Sequence, residues 1–220
     1  MAAEAVIEGR MNFSGIRNII FDFGGVLFDI DYHAPVRAFR LLGLWDFEGL
    51  YSQAAQRPEF DLLETGKISN EDFMSFLHAF VPHVRRDQVD HAWNCILLDL
   101  WPEKVELVRS LRSQGYRTFL LSNTNAIHAA AFERMIDAKM GLESFRSAFE
   151  QIYYSHVIGL KKPYPETFLE VCAWNGLAPA ETLFIDDSVQ HVEGARQAGL
   201  QGIHLRQDTE LDRLLAPLLS

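Results

Sequence analysis

Asn18-Ile19-Ile20-Phe21-Asp22-Phe23-Gly24-Gly25-Val26-Leu27 is the stretch that decides how this 220-residue chain is read. Its apolar run is continuous up to Asp22. That suits a central parallel strand covered on both faces, since a half-exposed strand would alternate. The Gly24-Gly25 pair then marks a tight turn, where the backbone can take φ > 0 and approach a ligand closely.

Downstream, the pattern first turns helical and then alternates. Between Tyr32 and Leu100 apolar residues recur three and four apart, as in Val36, Phe39, Leu42 and in Phe73, Phe76, Leu77, Phe80, which predicts helices. Ser69-Asn70-Glu71-Asp72 reads as a capping box. No strand signal interrupts this stretch, so residues 32–100 are expected to form an inserted helical module. From Trp101 on, predicted strands at Arg117–Leu121, Ile152–Tyr154, Thr182–Ile185 and Gly202–Leu205 alternate with helices at Pro102–Gln114, Asn125–Lys139, Tyr164–Trp174 and Val189–Ala198. Gly199 suits the position just after the last of these. Alternation with short links predicts an α/β fold, a doubly wound parallel sheet with helices on both faces. Residues 11–31 and 101–220 would form this Rossmann-like core, and 32–100 the insertion.

Composition sets outer limits. The chain is 48% hydrophobic and 23% charged, ordinary for a globular protein with a sizeable core. Its formal net charge of −10 argues against nucleic acid or an anionic membrane as the main partner. It leaves room for an anionic substrate, because a metal ion and a few fixed cations can outweigh the global charge inside one cleft. No apolar run is long enough to span a membrane. Cys95 and Cys172 show neither disulfide nor metal spacing, and are expected to be reduced thiols in a cytoplasmic protein. Glu4, Glu8 and Arg10 interrupt any signal-peptide core. Ile7-Glu8-Gly9-Arg10 spells a protease site often engineered ahead of a start methionine. Residues 1–10 are therefore set aside as a candidate engineering remnant.

In a doubly wound sheet, ligands bind beyond the carboxyl ends of the strands. Polar groups stand there at Asp22, at Ser122-Asn123-Thr124-Asn125 and at Asp186-Asp187, with Gly159-Leu160-Lys161-Lys162-Pro163 before a helix. Each alone reads as a helix cap or a solvated turn. Together they bring acids, a lysine and a hydroxyl-amide pair to one sheet edge. Carboxylates gathered in this way call for a cation, and hard oxygen ligands suit Mg²⁺.

The order of these groups resembles the haloacid dehalogenase superfamily. The pieces are Phe21-Asp22-Phe23-Gly24-Gly25-Val26, Leu121-Ser122-Asn123, Lys162-Pro163 and Ile185-Asp186-Asp187-Ser188. The helical insertion is similar to the small cap of one branch. Asp29-Ile30-Asp31, Glu64-Thr65-Gly66-Lys67-Ile68-Ser69 and His128 resemble bacterial sugar-phosphate phosphatases of the α-glucose-1-phosphate phosphatase type. The resemblance implies a Mg²⁺-dependent phosphatase acting on a small phosphorylated metabolite through an aspartyl phosphate, as a monomer or homodimer. Asp22 would be the nucleophile and Lys162 its neutralising partner. Ser122, Asn123, Gly24 and Gly25 would hold phosphate. Asp22, the main-chain carbonyl of Gly24, Asp187 and Asp186 (as ligand or orienter) would serve the metal.

One element of the superfamily pattern is missing. The acid that protonates the leaving group normally stands two residues after the nucleophile, where this chain has Gly24, as the resembled branch also does. General acid–base catalysis is worth about 10²–10⁴-fold. Asp29, Asp31 and His128 are the candidate replacements, and Trp45, Arg57, His83, His91 and Trp93 the candidate specificity residues. Two other readings stand beside the phosphatase: a 2-haloacid dehalogenase, which leaves the adjacent acids without a task, and a catalytically impaired phosphate-binding protein.

Overall fold

The structure is a computed structural model and describes residues 13–51, 57–206 and 208–219. The first ten residues, with the protease-site reading, lie outside them. The elements in chain order are β1 Asn18–Phe21, β2 Phe28–Ile30, α1 His33–Leu41, α2 Pro58–Glu64, α3 Asn70–Ala79, α4 Arg86–Asn94, β3 Leu97–Leu100 and α5 Pro102–Ser113. They continue with β4 Arg117–Ser122, α6 Ala126–Met140, α7 Leu142–Arg146, β5 Gln151–Tyr154, α8 Ser155–Ile158, α9 Pro165–Asn175, β6 Thr182–Asp186, α10 Val189–Gln197, β7 Gln201–His204 and α11 Leu211–Leu215.

Five parallel strands form one sheet in the order β5-β4-β1-β6-β7. This is the predicted doubly wound sheet. β1 lies at its centre, where the winding reverses, and a ligand crevice opens there between β4 and β6. Ile19, Ile20 and Phe21 are fully buried, as an apolar run covered on both faces requires. Ile19 and Phe21 pack into a cluster with Phe23, Phe28, Phe132 and Phe145. Ile20 faces the opposite layer, with Phe119, Phe168 and Phe184.

Helices α1–α4 lie between β2 and β3 and carry an apolar cluster of their own, built on Phe39, Phe47, Phe60, Phe73 and Trp93. Ser69 caps α3 as predicted, its hydroxyl accepting from the Asp72 N–H at 3.0 Å. β3 falls inside the stretch read as purely helical, and no local pattern announces it. β3 is four residues long and largely exposed. It exists because it pairs antiparallel with β2, a partner far away in sequence that no local pattern reveals. The ribbon these two strands make carries the chain out to the helical insertion and back.

Gly194 shows how closely the site is packed from behind. A Cβ there would meet the Pro163 carbonyl oxygen at 1.9 Å, so α10 touches the Lys162–Pro163 turn through bare backbone. Gly194→Ala is expected to destabilise the chain by about 1–3 kcal/mol through overpacking, despite alanine's better helix propensity. A urea titration reads this; a more stable variant would contradict the packing.

Candidate active site

Asp22 follows directly on β1, Ser122 ends β4, and Asp186 ends β6 with Asp187 next to it. The register of the three central strands brings these ends together. Lys162, 1% exposed, reaches in from the turn before α9. Its Nζ donates to Asp22 Oδ1 at 2.5 Å and to Asp186 Oδ2 at 2.7 Å. A lysine buried this deeply is retained only because carboxylates compensate its lost hydration. Burial alone would lower its pKa, but Asp186 and Asp22 outweigh that and raise it.

Asp186 is fully committed. Besides Lys162 it accepts from the Ser188 N–H at 2.7 Å and faces His191 Nδ1 at 3.0 Å. Burial pushes its carboxyl up, yet Lys162 and His191 together hold it well below the usual range. Asp22, Asp186 and His191 bring one ligand atom each within 4.8 Å of one another. Lys162 Nζ already bridges the two carboxylates of that group.

Asp187 is different. It lies directly over Gly25, where a Cβ would be only 2.4 Å from its Oδ2. Gly25 has φ +73°, so both the turn and the clearance require glycine. Burial, Asp22 and Asp186 push Asp187 up to about 7, and burial with Asp186 pushes Asp22 up to about 6. Three carboxylates share one lysine here, and it offsets the crowding on the Asp187 side only in part. An all-oxygen set of Asp22, Asp187 and the Gly24 carbonyl has the chemistry of a hard divalent-cation site. Its excess negative charge is what such an ion would neutralise.

Asp22, Lys162 and His191 line a cleft of about 320 Å³ together with Ile30, Tyr32, Tyr51, Asp61, Glu64 and Lys161; Gly25, Asp186 and Asp187 are not among its lining residues. Gly24, Ser122 and Asn123 line it too, and the Asn123 side chain also holds the lysine turn. Its Nδ2 donates to the Lys162 carbonyl at 2.8 Å and its Oδ1 accepts from the Lys162 N–H at 2.9 Å. The side chain is thus the clasp that fixes the lysine turn.

None of the candidate replacements for the missing acid is free to serve as one. Asp31 accepts from Arg37 and from the His33 N–H, which hold its carboxyl below the usual range. Asp29 lies in β2 opposite Asp99. Neither lines the cleft among the described residues. His128 does line it, but both its nitrogens are engaged. Nδ1 accepts from Asn125 Nδ2 at 3.0 Å, so Nε2 carries the proton and donates to the Trp93 carbonyl at 3.2 Å. Its ring stacks on Trp93 with centroids 4.6 Å apart. Burial lowers its pKa to about 4. A neutral imidazole with no spare proton joins core to insertion; it is not an acid.

The flexible end of Ile30 stands beside the position of the missing acid, and a side chain there would have to move it. A Cβ on Gly24 would stand 2.7 Å from Ile30 Cδ1. None of the five expected specificity residues lines the cleft. Trp93 is buried in the insertion's own cluster. Trp45 is 74% exposed, and His83 bonds the Leu42 carbonyl. Arg57 sits over Phe80, and His91 is exposed on α4. Helical periodicity locates a face but not which face meets the cleft. His191, on the first turn after Asp186-Asp187, could have been suspected from that spacing. Tyr32 and Tyr51 offered no signal.

His128 sets a pH dependence. Its folded pKa lies below the ordinary 6.5, so its contribution to stability is present above pH 6.5 and lost as pH falls toward 4. The difference is roughly 3 kcal/mol at full extent. Asp22 and Asp187, pushed up to about 6 and about 7, act in the opposite sense over the same window, so the His128 part is read as a difference: wild-type denaturant midpoints should fall relative to those of His128→Asn as pH drops from 6.5 to 4, and parallel curves would contradict it.

Comparison with known proteins places this geometry. Residues 16–199 match the haloacid dehalogenase-like hydrolase family. The D-ribitol-5-phosphate phosphatase of Bacteroides thetaiotaomicron is 31% identical over 190 residues, covering 84% of this chain and 90% of that protein. A haloacid dehalogenase family enzyme from the same organism, solved with magnesium and inorganic phosphate, superposes with a TM-score of 0.76 at 29% identity over 90% of this chain and 98% of its own. A HAD-like hydrolase structure from Porphyromonas gingivalis gives 0.81 at 33%, over 94% and 98%. No helix among the described residues is long and apolar enough to cross a membrane.

Proposed function

We propose an activity for this chain, which belongs to the haloacid dehalogenase-like hydrolase family: Mg²⁺-dependent hydrolysis of a small phosphorylated metabolite, with Asp22 as nucleophile. The enzyme is a phosphatase of that family with magnesium as its cofactor. The observation that carries the finer reading is the cluster at the end of β1, where Asp22 is held by a buried lysine on one side and crowded by a second carboxylate, Asp187, on the other.

Asp22, Asp187 and the main-chain carbonyl of Gly24 would hold the cation. Bound there, it would offset charge between nucleophile and phosphoryl group. Asp22 attacks phosphorus, the ester P–O bond breaks, and an aspartyl phosphate forms. Lys162 and the Ser122 hydroxyl meet the phosphoryl oxygens. Asp186 serves as an orienter: with His191 it keeps Lys162 charged and in place. Asn123 fixes the turn from which that lysine reaches. Water then attacks the aspartyl phosphate at phosphorus and regenerates Asp22, releasing inorganic phosphate.

With Gly24 in place of the usual acid, the leaving alkoxide takes its proton from water. This favours esters with a good leaving group, a sugar-1-phosphate among them, and the similarity to a D-ribitol-5-phosphate phosphatase supports a polyol phosphate. The helices α1–α4 act as a cap over the cleft. A dehalogenase would leave Asp187 idle. A panel of phosphosugars and phosphopolyols assayed for phosphate release tests the reading. Turnover with Mg²⁺ and its loss with chelator are expected; no release from any ester, p-nitrophenyl phosphate included, would overturn it.

A further inference from the structure

Tyr32 lines the cleft together with Asp22, Gly24 and Ile30. It stands at the junction of β2 and α1, two residues after Ile30. Its backbone is clamped there. Asp31 accepts from the His33 N–H at 2.8 Å and from Arg37 Nη2 at 2.5 Å. The Asp31 N–H donates to the Ile96 carbonyl at 3.0 Å, which ties this turn to the segment returning from the insertion. Asp31 thereby fixes the residue beside it.

The Tyr32 side chain has no task in the fold. It makes no capping bond to α1, and its hydroxyl has no hydrogen-bond partner among the described residues. A buried phenol normally finds such a partner. This one is half-buried and borders the cleft, so its partner is whatever enters. Burial, Tyr51 and the carboxylates Asp187, Asp22 and Asp186 raise its pKa well above the ordinary 10. All three acids of the reacting centre therefore act on this one phenol. The other tyrosine of the cleft is placed differently. Tyr51 stacks on Phe60 at 4.9 Å and meets Trp93 edge-on at 5.2 Å. After burial, the group that acts on it is Glu64, on the helix where Asp61 and Glu64 receive Lys161. Of the two phenols, Tyr32 is the one beside the nucleophile.

As the ester bond breaks, negative charge builds on the oxygen of the alcohol. With glycine at position 24 no acid meets it. A neutral O–H donor held at the cleft wall can stabilise that oxygen without adding charge to a site crowded with carboxylates.

We propose that Tyr32 is a catalytic residue of this enzyme: its hydroxyl donates a hydrogen bond to the ester oxygen as the P–O bond breaks and the bonding pair moves onto the alcohol. The phenol keeps its own proton, and water then protonates the alkoxide. This rests on the phosphatase reading above and gives Tyr32 part of the work that Gly24 cannot do.

The test compares kcat/KM for the fastest alkyl ester of the phosphopolyol panel with that for p-nitrophenyl phosphate, whose leaving group is a stable anion and needs little help. Tyr32→Phe removes one oxygen and no hydrogen bond of the fold. It should lower the alkyl-to-aryl ratio by about 10²-fold, as loss of one such donor typically does. A packing defect would lower both esters alike. Tyr51→Phe should leave the ratio where it is. If Tyr32→Phe does not fold, Tyr32→Met is judged by the same ratio. Equal losses on the two esters, no loss at all, or a ratio that falls as far in Tyr51→Phe overturns this inference alone, as does a wild type active on p-nitrophenyl phosphate but on no alkyl ester. A wild type inactive on every ester overturns the phosphatase reading, and this inference with it.

Discussion

Asp22→Asn is expected to abolish turnover while leaving the fold at least as stable as the wild type in the absence of metal. The amide keeps an oxygen for Lys162 and the volume of the native side chain, but it cannot attack phosphorus. Loss of a covalent nucleophile typically costs about 10³-fold or more in kcat. Stability responds in the opposite sense. Burial and Asp186 push the Asp22 carboxyl up to about 6, so at neutral pH its ionised form is strained by its surroundings. A group whose folded pKa is raised contributes stability below its unfolded value and loses it as pH rises. Replacing it by a neutral amide removes that loss. Phosphate release and metal-free melting curves, measured on the same preparation, check both halves. Retained turnover would contradict the assignment, and a large fall in melting temperature would contradict the electrostatics.

Lys162→Met should fail on both counts. The ammonium is the shared partner of Asp22 and Asp186, both buried. Removing one member of a buried ion pair typically costs about 3–5 kcal/mol, because the remaining charge is stranded. Here two carboxylates are stranded. Activity should fall with stability, since Asp22 loses its orientation and the transferring phosphoryl group its fixed cation. The coupling can be isolated. Adding Asp186→Asn to Lys162→Met should recover part of the stability and none of the turnover, a non-additive result read by a double-mutant cycle in urea. Additive losses would mean that the lysine and Asp186 act independently.

The contrast between these two residues shows what the sequence could carry. Asp22, Ser122 and Asp186-Asp187 were legible because each sits at the end of a strand with a clear apolar pattern, and strand order puts those ends together. Lys162 was legible as part of a turn before a helix. What the sequence could not carry was the direction of side chains once there. Asn123 turns back to the lysine turn, and Lys161 turns away from its neighbour toward α2. His128 is spent on Asn125 and Trp93. Each outcome depends on a partner dozens of residues away, across an insertion whose helical period gives faces but no orientation. β3 was missed for the same reason, since a short exposed strand is stabilised by its pairing and not by its own pattern. Ile30 is the most consequential omission. Its Cδ1 lies 2.7 Å from where a Cβ on Gly24 would come, so a side chain there would have to displace it.

The most direct test of the mechanism is to quench the enzyme with acid during turnover of a good substrate in Mg²⁺ and map its peptides by mass spectrometry. One phosphoryl group is expected, on the peptide that contains Asp22 and absent when chelator is present from the start. Steady turnover with phosphate on another residue, or with no phosphorylated peptide under conditions that preserve a control acyl phosphate, would contradict it.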